Sequence, residues 1–160
     1  MTLRQAAESW FDHVWNLKDQ KWEDYVRYHL RPKATITGVG TQNRDRSNNP
    51  SQAGPSAAEK QIRSVEEFIA FRRGIVDAIP NVQVAIEHFT ESGDQASGIA
   101  RISGTDKVSK REVSFQLGFW LKIQDDTIVD AANVVDFYSY LLQAGIIENT
   151  LLTNHLGIQA

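Results

Sequence analysis

The sequence predicts an α+β domain in which three helices cover one face of a curved antiparallel sheet. Three observations carry that expectation. The first half of the 160 residues holds three stretches of helical apolar spacing around one short strand-like run. The second half alternates apolar and polar residues, with turn-forming residues between the runs. Its longest run sets Val113, Phe115, Leu117, Phe119, Leu121 and Ile123 against Ser114, Gln116, Gly118, Trp120 and Lys122, the period of a half-buried strand.

The elements follow in order. Leu3, Ala6, Ala7, Trp10, Phe11, Val14 and Leu17 form the apolar stripe of a first helix, with Arg4, Glu8, Asp12 and Asn16 opposite. Lys18-Asp19-Gln20 breaks it. Trp22, Tyr25, Val26 and His29 mark a short second helix, which Pro32 bars from continuing. Residues 34–39 read as a strand. From about 40 to 62 the chain is a polar insertion, nearly free of large apolar residues and read as loop or passive surface. Ser64 and Glu67 make the capping box of a third helix that ends at Pro80.

Val82, Val84, Ile86 and His88 then share one strand face, and Ser92-Gly93-Asp94 turns the chain. Residues 95–105 alternate small residues with larger ones, and 106–110 turn into the long run. Gln124-Asp125-Asp126 reverses it into residues 127–135, after which Asp136 begins a helical segment closed by Ala144-Gly145. The expected domain is 1–145, with 146–160 as a C-terminal extension.

Composition narrows the function. Seventeen basic residues against 20 acidic ones, net −3, lack the basic excess of a nucleic-acid surface. There is no cysteine, which excludes thiolate chemistry, disulfides and cysteine metal sites. The histidines at 13, 29, 88 and 155 have no partner at metal-ligand spacing, so no metal site is expected, and no glycine-rich nucleotide loop is present. No run approaches the roughly 20 apolar residues of a membrane span. The expectation is a soluble, cytoplasmic protein with no membrane partner.

What remains is acid–base chemistry in an apolar hollow. Asp136 ends the last strand on the parity of Ile128, Ala132 and Val134; burial there would raise its pKa into a range useful for proton transfer. It also stands where an N-cap belongs. The residue type suits both readings, which are compatible. Arg101, mid-strand among small residues, suits a ligand oxygen or a cross-strand pair with Asp130 or Asp136; plain exposure on the strand is the competing role. Asn133 suits a donor to a developing oxyanion, and equally a place at the edge or on the convex face of the sheet. Tyr25, Tyr28 and His29 on the second helix, with Trp15, Phe115 and Phe119, are the candidate substrate-binding residues; packing is the competing role for each. Trp120 faces away from the apolar side of its strand and marks a homodimer surface on the outer sheet face.

Five short motifs, in order, resemble the SnoaL-like polyketide cyclase family of the nuclear transport factor 2-like superfamily. They are Trp15 to Asp19, Ala78 to Val82, Ser92 to Ala96, Arg101 to Thr105, and Ile128 to Asp136 followed by Leu141 to Gly145. The resemblance covers about 3–145. It implies a cone-shaped mixed sheet with a pocket inside, no cofactor, a hydrophobic small-molecule substrate, and an aspartate on the closing strand as acid/base for an aldol-type ring closure. By position that aspartate is Asp136. Departures bear on the substrate: Asp106 follows Gly104-Thr105 where the family commonly has histidine, and Asp130 and Asn133 replace other usual residues. An epoxide-hydrolase relative would use an Asp-Arg-Asp network, but Ser103 stands where its second acid is expected. A non-catalytic binding or dimerisation module is the third reading.

Overall fold

The computed structural model describes residues 1–16, 21–39, 59–62 and 64–148. Its order is α1 (Leu3–Val14), α2 (Trp22–His29), β1 (Leu30–Val39), β2 (Glu59–Ile62), α3 (Val65–Ala78), β3 (Gln83–Ser92), β4 (Gln95–Thr105), β5 (Glu112–Gln124), β6 (Thr127–Val135) and α4 (Phe137–Gln143). The α+β expectation holds. The strands form one six-stranded mixed sheet in the order β2-β1-β6-β5-β4-β3. It is antiparallel except for β1, which runs parallel to β6.

Capping starts the helices where the sequence places them. Thr2 and Gln5 form a reciprocal box at α1, and Ser64 accepts from the Glu67 N–H at α3. One expectation is corrected. The last four residues of the polar insertion, Glu59–Ile62, are strand β2, paired antiparallel with Ile36 to Val39. An edge strand needs only backbone pairing, so four polar-rich residues join a sheet without the alternation that marks a half-buried strand. The rest of the insertion, the extension beyond 148 and the break at 17–20 lie outside the described residues.

Strand parity decides which residues look inward, and bulges on β6 and β3 reset it. On β5 the odd positions Val113 to Ile123 are buried beneath the helices, as the alternation predicts. On β6, Ile128 pairs with Ile123 but Asp130 pairs with Lys122, so Val129 is an extra residue. Beyond it Ala131 is buried and Val134 is 56% exposed, the reverse of the parity counted from Ile128. On β3, Ile86 pairs with Ala100 but His88 with Ile99, which makes Glu87 the extra residue. His88 is thereby exposed, and Phe89 packs against the core instead. The expectation that Val84, Ile86 and His88 share a face therefore holds only up to the bulge.

Free strand edges are closed by side-chain amides. Asn16, just beyond α1, accepts from the Val84 N–H at 2.5 Å and donates to the Val84 carbonyl at 3.0 Å. Gln143 of α4 does the same to Ser114, at 2.6 and 2.8 Å, where β5 outruns its neighbour β6. Each carboxamide replaces one residue of a missing strand and blunts an edge that would otherwise pair with another chain.

Candidate functional site

The helices and the inner sheet face enclose a cavity with about 60 Å³ open to the centre of a water molecule. Its helical wall is aromatic: Trp10, Phe11 and Trp15 from α1 and its C-cap, Phe68 and Phe71 from α3. The sheet contributes Phe115, Leu117 and Leu121 from β5, and Ile128, Ala131, Asn133 and Val135 from β6; Phe137 of α4 closes one side. These positions follow from the amphipathic stripes and from the bulge at Val129, which turns 131, 133 and 135 inward together. Apart from the indole N–H groups, Asn133 is the one polar side chain in the described wall. Its carboxamide makes no hydrogen bond among the described residues.

The candidate residues separate into two groups. Trp15, Phe115 and Asn133 meet in the cavity. Phe119 lies behind its wall, edge-on to Phe11 at 5.1 Å. Asp136 is exposed and caps α4: one oxygen accepts from the Ser139 N–H at 3.1 Å, the other from the Ser139 hydroxyl at 2.6 Å. The extra residue at Val129 is the reason, because it moves Val134 and Asp136 to the outer parity. The parity argument that aimed Asp136 at the hollow is thus corrected.

Arg101 lies on the outer face, between the inward-facing Ala100 and Ile102, and pairs with Glu87 at 2.5 and 3.1 Å. That pairing holds the Glu87 carboxyl below its ordinary pKa. Its partner is therefore neither Asp130 nor Asp136. Tyr25 and His29 stand on the α1–α2 side, away from the cavity. Tyr25 is stacked between His13 and His29 at 4.4 and 4.2 Å and bonds the Ser9 hydroxyl at 2.9 Å; His29 reaches the Asp126 carbonyl at 2.8 Å. Burial pushes the Tyr25 phenol up, with the Ser9 bond opposing. Tyr28 is 80% exposed.

Two polar residues that sequence reasoning missed are buried. Asp106, 3% exposed, accepts from the Ser109 N–H at 2.7 Å, the Val108 N–H at 3.1 Å and the Tyr140 hydroxyl at 2.8 Å. Those donors, the Ser109 amide first, hold its carboxyl below the usual range; burial and the neighbouring carboxylate push Tyr140 up to about 12. The pair fastens α4, and with it Phe137, to the β4–β5 turn. Because the folded carboxyl titrates below its unfolded value near 4, its contribution is complete above that value and is lost as pH falls through the folded pKa. Melting temperatures measured from pH 6 down to pH 2.5 are expected to fall less steeply for Asp106→Asn than for the parent. Parallel curves would remove Asp106 from the acid limb.

Arg72 is the second, and a signal for it existed, since it interrupts the apolar stripe of Phe68, Ile69 and Val76. It is 3% exposed, donates to the Val14 carbonyl at 2.7 Å and lies 3.9 Å over the Trp22 ring. Burial lowers its pKa to about 10.

No family model and no curated protein sequence matches this chain. Solved structures do. A proposed SnoaL-like polyketide cyclase from Jannaschia sp. CCS1 superposes with a TM-score of 0.70 at 17% identity, over 91% of this chain and 93% of that one. Wild-type IdmH, a proposed polyketide cyclase from Streptomyces antibioticus, gives 0.70 at 16% identity, over 91% and 99%. A hypothetical protein with a ketosteroid isomerase-like fold from Catenulispora acidiphila, solved with trimethylamine, gives 0.68 at 15% identity, over 90% of this chain and 95% of that one. At these identities the likeness establishes the fold.

Proposed function

From a chain with the fold of the SnoaL-like polyketide cyclases, in the nuclear transport factor 2-like superfamily, we propose a cofactor-independent cyclase or isomerase. Its substrate is a hydrophobic small molecule of polyketide-like or terpenoid-like type, held in the aromatic cavity. The observation that carries this reading is an apolar wall interrupted by one carboxamide, at Asn133, that has no hydrogen-bond partner among the described residues.

Such a wall favours ring closure by confinement. A flexible chain packed there is held folded, so that its reacting carbons meet without the entropy cost of finding each other in water. The attacking carbon is that of the substrate's own enol, whose O–H proton is released as its carbonyl re-forms and is returned through solvent to the new alkoxide. Asn133 donates to the carbonyl oxygen that gains negative charge as the C–C bond forms. Proton transfer by Asp136 does not suit a carboxylate open to water with both oxygens on Ser139. The epoxide-hydrolase reading loses its arginine, because Arg101 is engaged by Glu87 on the opposite face. A second reading, a non-catalytic binder of the same ligands, is favoured by the lack of any carboxyl, imidazole or phenol among the described wall residues.

One pair of variants separates these readings. With a linear poly-β-ketone, product is followed as an isomer of unchanged mass or as loss of one water. Asn133→Leu is expected to cut turnover by about 10². Asp136→Asn keeps the cap and is expected to stay within about threefold of the parent. A loss of about 10² in Asp136→Asn with the helix intact would return proton transfer to Asp136. Saturable binding with no product in the parent protein would favour the binder.

A homodimer through the outer sheet face belongs to the same proposal. Ile99, Gly118 and Val134 sit side by side across β4, β5 and β6, next to half-buried Trp120, whose indole donates to Gln95 at 3.1 Å. Trp120→Glu is expected to halve the sedimentation mass. An unchanged dimer would refute that face.

A further inference from the structure

We infer that the cavity selects an uncharged, flat, unsaturated ligand of one or two fused rings that presents a single carbonyl oxygen to Asn133, making Asn133 the specificity-determining residue. The inference rests on the ligand-binding part of the proposed function and is independent of turnover.

Size comes first. A compact space of 60 Å³ for water centres, widened by one water radius, is on the order of 200 Å³, room for one or two fused rings and not four. Shape is set by the walls. Trp10, Trp15, Phe68 and Phe71 on the helical side oppose Phe115 on the sheet and Phe137 at the end. Flat rings present the largest contact to such faces and edges at the least entropic cost.

Charge is decided by what the wall lacks. No ionisable side chain lies among the described wall residues. Half-buried Asp130 on β6 and exposed Asp136, the N-cap of α4, are committed to the Ala131 N–H and to Ser139. An anion or cation entering the cavity would lose its hydration and find no counter-charge. A neutral molecule meets no such penalty.

Polarity is decided by Asn133. A carboxamide carries two donors and an acceptor. This one is turned inward with none of them engaged by a described residue, whereas Asn16 and Gln143 in the same protein each clamp a strand backbone through the carbonyl oxygen and an amide N–H, and Asn16 donates to the Asp12 carboxylate as well. A carbonyl in the ligand satisfies its N–H group; a pure hydrocarbon leaves it unpaired. One such bond distinguishes otherwise identical ligands by about tenfold at most.

The test uses three bicyclic probes: 1-tetralone, which is neutral with one carbonyl; tetralin, the same skeleton without oxygen; and 1-naphthoate, an anion. Binding to the full chain is followed by quenching of Trp10 and Trp15 and confirmed by calorimetry. The expected result is that tetralone binds about 5- to 10-fold more tightly than tetralin, with naphthoate binding at least tenfold more weakly than tetralone. Asn133→Leu should abolish the preference, so that tetralone and tetralin bind alike, with tetralin bound no more weakly than by the parent, which also reports an intact cavity. Asn133→Ser, smaller and still able to donate, should keep part of the preference. Equal binding of tetralone and tetralin to the parent, or naphthoate binding as tightly as tetralone, overturns the inference while leaving a binding cavity in place. If none of the three binds, both this inference and the binding half of the proposed function fall.

Discussion

Gly98→Val is expected to destabilise the protein by at least about 3 kcal/mol, read as a shift of the urea midpoint with the slope unchanged. The reason lies at the β3 bulge. Gly98 pairs with Phe89 on one side and Phe119 on the other. A Cβ built there would lie 2.0 Å from the His88 carbonyl oxygen and 2.8 Å from the tip of the Phe119 ring. The ring could shift, but the carbonyl belongs to the bulge and cannot move without breaking the β3–β4 ladder. Even alanine meets that oxygen, so Gly98→Ala is expected to cost most of the same amount. The consequence reaches the site, because the bulge and the missing side chain let the sheet bend over α1, and Val84 of β3 lines the cavity. A Gly98→Ala variant within about 0.5 kcal/mol of the parent would show that the close approach is not needed.

Arg72→Ala is the second large effect, about 3 kcal/mol. The side chain does two things at once. It satisfies the Val14 carbonyl, one of the four at the end of α1 that the helix cannot satisfy, and it lays a guanidinium on the Trp22 face. Removing it strands the carbonyl and uncovers the indole. Arg72→Met keeps the apolar stem and is expected to recover roughly half of the loss, since a buried charge also carries a desolvation cost. Chemical denaturation of both variants decides the matter. Equal loss in the two would assign the effect to hydrogen bonding alone, and no loss in either would make Arg72 incidental. Because α1 and α3 both supply cavity wall, ligand affinity should weaken alongside stability in Arg72→Ala.

Much of this could be read from the chain. Ser64 and Pro80 mark helix ends by rules that involve only a few neighbouring residues. The odd residues of β5 alternate without interruption, so Phe115 in the cavity and Trp120 on the outer face followed directly from counting. Trp15 was reachable from the first amphipathic stripe. Asn133 was named for its chemistry, although counting from Ile128 put it on the wrong side. Tyr25 and His29 failed as cavity residues because a helical stripe says which side is apolar, not which neighbour covers it; here they stack with His13 across α1. Gln143 and Asp106 carried no local signal, since each acts on backbone or hydroxyl groups far along the chain.

The sequence by itself determined the order of every element except β2, the capped helix ends, the apolar stripe of each helix, and the apolar inner face of β5. Only the tertiary structure decided which polar residue looks into the interior. A bulge is a property of two strands in register, and the extra residue at Val129 exists only because Ile128 faces Ile123 while Asp130 faces Lys122. Local periodicity contains no record of that pairing. One unpaired residue exchanges the faces of everything after it, and so Asn133 stands in the cavity while Asp136 caps a helix in water.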